Sequence, residues 1–145
     1  MGWFNYYGLI AVVIILIPNI IYAALNKSEH NEKLKSRFFN LVEQVGRYGC
    51  MAFMIFNIPY TYLGFWFENA LIVYLAVNGA LLIFYCIGWA IYARGNSLVK
   101  AIWLSVTPSV IFVFSGIVCA SAPLIVCAVL FAAGHITISV KNSER

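Results

Sequence analysis

The sequence predicts an all-α fold, a polytopic membrane helix bundle of five transmembrane helices with the N-terminus outside and the C-terminus inside. Three observations carry that expectation. The chain of 145 residues is 63% hydrophobic and 10% charged, against about 45–50% apolar and about 25% charged in an average soluble domain. Its mean hydropathy is +0.91. The apolar residues gather into five runs, each long enough to cross roughly 30 Å of hydrocarbon at about 1.5 Å per helical residue. All nine Lys and Arg fall on one side of the membrane once the N-terminus is placed outside, and the outer connections carry only Glu68; positive charge is retained on the cytoplasmic face. So little polar surface excludes a soluble enzyme or a nucleic-acid-binding domain. It also leaves a single transmembrane domain over residues 1–145.

The first span, about 3–25, opens without a positive charge and offers no small-residue cleavage site, so it reads as a retained helix and not a secretory signal. A basic connection, 26–40, follows it. Within and beyond this connection, Leu34, Phe38, Leu41, Val42 and Val45 keep helical spacing with Lys35, Arg37 and Glu43 between them. That pattern predicts a segment lying in the inner interface, favouring anionic lipid together with Lys27 and Lys33. The sequon Asn26-Lys27-Ser28 lies in this same cytoplasmic connection and reads as a chance match. The second span is expected over about 41–67, the third over 70–93, the fourth over 99–120 and the fifth over 122–140. Only a tight turn around Ser121, before Pro123, separates the last two. A single helix from Ser105 to Val140 would be about 54 Å long. None of the runs alternates apolar and polar residues, and open sheet edges do not survive in lipid.

Polar residues inside the spans are the functional clues, because hydrocarbon penalises them unless they are paired or hydrated. On the second span Glu43, Arg47, Cys50, Met54, Asn57 and Thr61 would point within about 40° of one direction. Glu43 and Arg47 stand in the favourable order for a helical ion pair, and the simpler reading is an anchor whose charges snorkel at the inner interface. On the third span Tyr74, Asn78, Tyr85, Trp89 and Tyr92 share a face. Asn57 and Asn78 come out at comparable depth, which predicts an interhelical amide pair; a substrate-binding pair is the functional alternative. Asn19, beside Pro18, and His135 lie nearer the cytoplasm and with Arg47 would line a polar vestibule. His135 suits proton relay, or packing through a hydrogen bond. The small faces Ser105/Ser109/Gly116/Cys119 and Ala128/Ala132/Ala133 are expected to pack on each other or on a second subunit.

The chain has no Asp, and its five Glu are scattered. No C-x-x-C, G-x-S-x-G or H-E-x-x-H motif is present, so no catalytic residue, metal site or cofactor is expected. The reading that remains is a small-solute transport or channel-type component, with Asn19, Arg47, Asn57, Asn78 and His135 as substrate-binding candidates. A non-catalytic accessory subunit of a larger membrane complex is the alternative. The expected partners are the lipid bilayer, anionic lipid at the basic connection, and either further copies of the chain or a larger membrane protein, in the cytoplasmic membrane.

Asn5-Tyr6-Tyr7-Gly8, Ile17-Pro18-Asn19-Ile20, Glu43-Gln44-Val45-Gly46-Arg47 and Phe56-Asn57-Ile58-Pro59-Tyr60 give the chain a pattern that resembles small bacterial multipass membrane proteins of unassigned activity. The resemblance implies a multi-span bundle and no particular site residue. Beyond helix count and aromatic richness the chain does not resemble the five-helix translocator-protein family, because its first connection is charged.

Overall fold

In the computed structural model the described residues are 2–25, 37–92 and 97–143. They form α1 (Tyr6–Leu25), α2 (Arg37–Ile55), α3 (Ala70–Ile91), α4 (Leu98–Val118) and α5 (Ala122–Ser143). The chain is therefore all-α, and α1, α3, α4 and α5 are long and apolar enough to cross a membrane. Most of the basic connection, residues 26–36, lies outside the described residues, as do 93–96. So do the lysines expected to meet anionic lipid and the Asn26 sequon.

The helices close into a ring in the order α1, α2, α5, α4, α3 and back to α1, with the tightest seams between α2 and α5 and between α4 and α5. Tyr74, Tyr85, Phe112, Met54 and Ile111 fill its middle, each almost fully buried. Outward the ring shows aliphatic rows, such as Ile10, Val13, Ile17 and Ile20 on α1.

Backbone contact, more than side-chain interdigitation, sets the α2–α5 seam. Gly46 lies against the backbone of Phe131, Gly49 against the Cys127 Sγ, and Gly134 against the backbone of Glu43. Only glycine allows two helices to approach so closely, which is the usual logic of small residues between membrane helices. Of the small faces read from the sequence, that of α4 does meet α5, with Gly116 against Ile125. The glycines of the α2–α5 seam were not among those faces.

The second helix corrects the sequence expectation at both ends. It begins at Arg37, so residues 37–45 of the expected interfacial segment belong to α2 itself. It stops at Ile55, twelve residues short of the expected end at 67. Pro59 explains the stop. Its ring would clash with the carbonyl four residues back, which is that of Ile55, and it pushes Ile58 out of helical geometry. The freed groups are taken by the N-terminal segment. Asn5 N donates to the Ile55 carbonyl at 2.7 Å, and Asn57 N to the Trp3 carbonyl at 2.8 Å, around an antiparallel bridge between Phe4 and Phe56.

Residues 56–69 then cross one end of the bundle, here the upper end, with Tyr60, Gly64 and Asn69 at positive φ. Gly64 N bonds the Cys119 carbonyl at 3.0 Å, and Ala122 N bonds the Thr61 carbonyl at 3.1 Å. This segment thus straps the tight α4–α5 turn, where Ala120 takes φ 46°. Pro18 and Pro108, in contrast, stay inside their helices.

Candidate functional site

The lower end of the ring holds the polar cluster. Seven residues into α2, the side chain of Glu43 turns into the bundle and is only 8% exposed, whereas that of Arg47, one turn on, is 41% exposed. The two form a direct ion pair. Across the seam, His135 Nδ1 of α5 lies 3.2 Å from the same Glu43 Oε1. The histidine ring stacks on Phe131, 4.7 Å between centroids and 17° apart in plane, so its orientation is fixed by packing. Glu43 is therefore a buried acceptor shared by two basic groups, not a charge that snorkels to the interface as its position in the sequence suggested.

On α1, Asn19 Nδ2 donates to the Tyr85 hydroxyl of α3 at 2.8 Å and to the Ile15 carbonyl of its own helix at 2.8 Å. Asn19, Arg47, Tyr85 and His135, from four helices, wall one central cavity of about 50 Å³, which Pro108 and Phe112 of α4 complete. That volume admits one or two waters. A second cavity of about 220 Å³ lies on the other side of His135, walled by Tyr22, Trp89, Lys100, Ser139 and Asn142 among others. His135 is the wall the two cavities share.

Three of the five candidates, Asn19, Arg47 and His135, are thus brought together. The other two are elsewhere, and they do not pair. Asn57 lies beyond the end of α2, where its Nδ2 donates to the Gly2 carbonyl at 2.9 Å. Asn78 Nδ2 donates to Ser115 Oγ of α4 at 3.0 Å, and its Oδ1 is buried with no partner among the described residues. The expected amide pair fails because α2 ends at Ile55, which removes the helical frame that would set Asn57 opposite Asn78. Thr61 leaves the α2 face for the same reason.

Tyr85 belongs to the site although the sequence marked it only as part of a stripe; nothing in the spacing shows that Asn19 is its partner. Lys100, 8% exposed, stands out in the sequence only as one of the nine basic residues that indicate topology. Among the described residues no group of three His, Cys or Glu is placed to hold a metal ion.

Compared with family models, curated proteins and solved structures, the chain matches none.

Proposed function

We propose that the chain is a five-span protein of the cytoplasmic membrane, N-terminus out and C-terminus in, that works as a small-solute transport or channel-type component. The observation that carries this reading is the convergence of Asn19, Arg47, Tyr85 and His135 on one central cavity, backed by the buried Glu43 carboxylate. Polar groups at such depth are retained where they serve a pathway or a relay.

Support for the fifth span comes from the two faces of α2. It turns Glu43, Gly46, Cys50 and Met54 inward and Phe38, Leu41, Val45 and Tyr48 outward. A helix that hides its polar face in a ring and shows aromatic and aliphatic side chains outside suits lipid, even with three charges in its length. Orientation rests on the one-sided basic residues; the lower, polar end is then cytoplasmic.

The central volume limits cargo in this conformation to water-sized species, and the proton comes first among them because Glu43 and His135 both exchange protons. The test is proton entry into liposomes that hold the purified chain and an internal pH dye, driven by a potassium diffusion potential. Entry faster than in protein-free vesicles, and slower again in His135→Ala, is the expected result. Equal rates with and without protein contradict the reading.

The accessory-subunit reading has one observation in its favour: Asn57 and Asn78 are both engaged in packing bonds away from the site. Native mass spectrometry after gentle extraction separates the two. A chain bound to a larger membrane protein favours the accessory role, and a homo-oligomer favours transport.

A further inference from the structure

The α2–α5 seam brings together two thiols that lie far apart in the sequence. Along it Gly46 meets Phe131 and Gly134 meets Glu43, each in backbone contact. These pairings make the two helices antiparallel. One turn up α2 from Gly46 and one turn back along α5 from Phe131, the facing residues are Cys50 and Cys127. The contacts at that level agree. A Cβ added at Gly49 would lie against the Cys127 Sγ and 3.0 Å from its Cβ, and the thiols of Cys50 and Cys127 are within electrostatic reach of each other. Both are free. Cys50 is fully buried, whereas Cys127 is half-buried, next to the outward-facing Val126 and Leu130.

Two thiols held face to face on a rigid seam are a ligand pair for a soft metal ion, because thiolates select soft metals. Burial narrows the choice. Net charge in hydrocarbon is costly; two thiolates are neutralised by a divalent ion but leave a negative charge on a monovalent one. Zinc is divalent but takes four ligands at a structural site, and no third His, Cys or Glu joins the pair among the described residues. Mercury(II) is soft, divalent and satisfied by two thiolates in a line. At the roughly 2.3 Å of a metal–thiolate bond, such a bridge spans about 4.6 Å, a reach that suits cysteines on facing positions of two helices in backbone contact.

We propose that Cys50 and Cys127 form a two-coordinate mercury(II) site on the α2–α5 seam. Supplied as the neutral dichloride, which dissolves in a bilayer, the ion meets Cys127 from the lipid side first and Cys50 second. Two Hg–S bonds form, two Hg–Cl and two S–H bonds break, and two chloride ions and two protons leave; no electron is transferred. Neither cysteine walls the central cavity, so the site stands whether or not that cavity conducts.

The test uses the full chain in nanodiscs, exposed to mercuric chloride and then washed with excess glutathione, a single thiol that strips mercury from isolated cysteines or remains attached to it. Intact mass is expected to show one mercury per chain with no glutathione attached. Cys50→Ser and Cys127→Ser should each lower the retained mercury at least about tenfold, no less than the ~10–100-fold that outer-shell changes already cause at metal sites. Cys86→Ser and Cys119→Ala should leave it in place. A second measurement needs no variant: after proteolysis of the loaded wild-type chain, mercury should link the peptide holding Cys50 to the one holding Cys127. Zinc given in the same way should wash off. No retained mercury, mercury linking a different pair, retention unchanged in both Cys50→Ser and Cys127→Ser, or zinc held as firmly as mercury would each overturn the proposal.

Discussion

Replacing Gly46 by alanine probes the seam that brings the polar cluster together. A methyl group at this position would land on the backbone nitrogen of Phe131, 2.6 Å from its Cα and 2.9 Å from its Cβ. Carbon atoms pack best about 3.5–4.0 Å apart, so α2 and α5 must separate by about 1 Å or tilt. Because the obstacle is a helix backbone, no rotamer change can relieve it. Separation by that amount forfeits roughly a quarter to a half of each contact well along the seam, and overpacking of this kind costs about 1–3 kcal/mol. Alanine returns close to 1 kcal/mol of helix propensity, leaving a net loss of about 0–2 kcal/mol. Gly79 is the internal control: it is also mid-helix, but a Cβ there meets nothing within 4 Å, so Gly79→Ala keeps the propensity gain. Unfolding of both variants in mixed micelles by a denaturing detergent, followed by circular dichroism, reads the difference directly. The expected gap is about 1–3 kcal/mol, the overpacking cost itself, with Gly46→Ala at or below wild type and Gly79→Ala above it. Equal stability of the two variants would refute the claim that backbone contact sets the seam.

Other outcomes follow from the same geometry. Arg47→Met leaves Glu43 with His135 alone; the loss should fall between the ~1 kcal/mol of an exposed pair and the ~3–5 kcal/mol of a buried one, because Arg47 is 41% exposed. Glu43→Gln, which removes the charge and keeps the shape, should cost less than Arg47→Met in the same unfolding assay. Asn78→Leu removes the bond to Ser115 Oγ and should cost about 0.6–1.7 kcal/mol, the range for hydrogen bonds between membrane helices, without changing proton entry. For orientation, a cysteine placed at Glu68 should react with an impermeant maleimide added outside intact cells, and one at Ser97 only after permeabilisation.

Much of this architecture was legible because α1, α3, α4 and α5 are uniform apolar runs whose ends are marked by charge or a turn. The tight turn at 119–121 was readable from length alone, since one continuous helix would overrun the bilayer. The expected second span fails because it runs through Pro59. Pro18 and Pro108 sit inside helices, whereas Pro59 ends one; what decides is whether another segment can take up the released backbone groups, and at Ile55 the partner is Asn5, some fifty residues earlier in the chain. Local pattern does not contain that information.

The candidate site divides in the same way. The Glu43–Arg47 pair follows from i, i+4 spacing on one helix and was visible. The His135 contact depends on the register of α5 against α2, which Gly46 and Gly134 set through tertiary contact. Asn19 was readable as a polar residue beside a proline, but its partner Tyr85 lies 66 residues away.

The measurement that bears most directly on the central claim compares proton entry across variants from the two ends of the bundle. Asn19→Leu, Glu43→Gln and His135→Ala alter the central cavity and its buried carboxylate; Asn57→Leu and Asn78→Leu alter packing bonds away from them. Entry should collapse in the first three and persist in the last two. Entry that survives in the first three, or is lost equally in all five, would contradict a pathway through the central cavity.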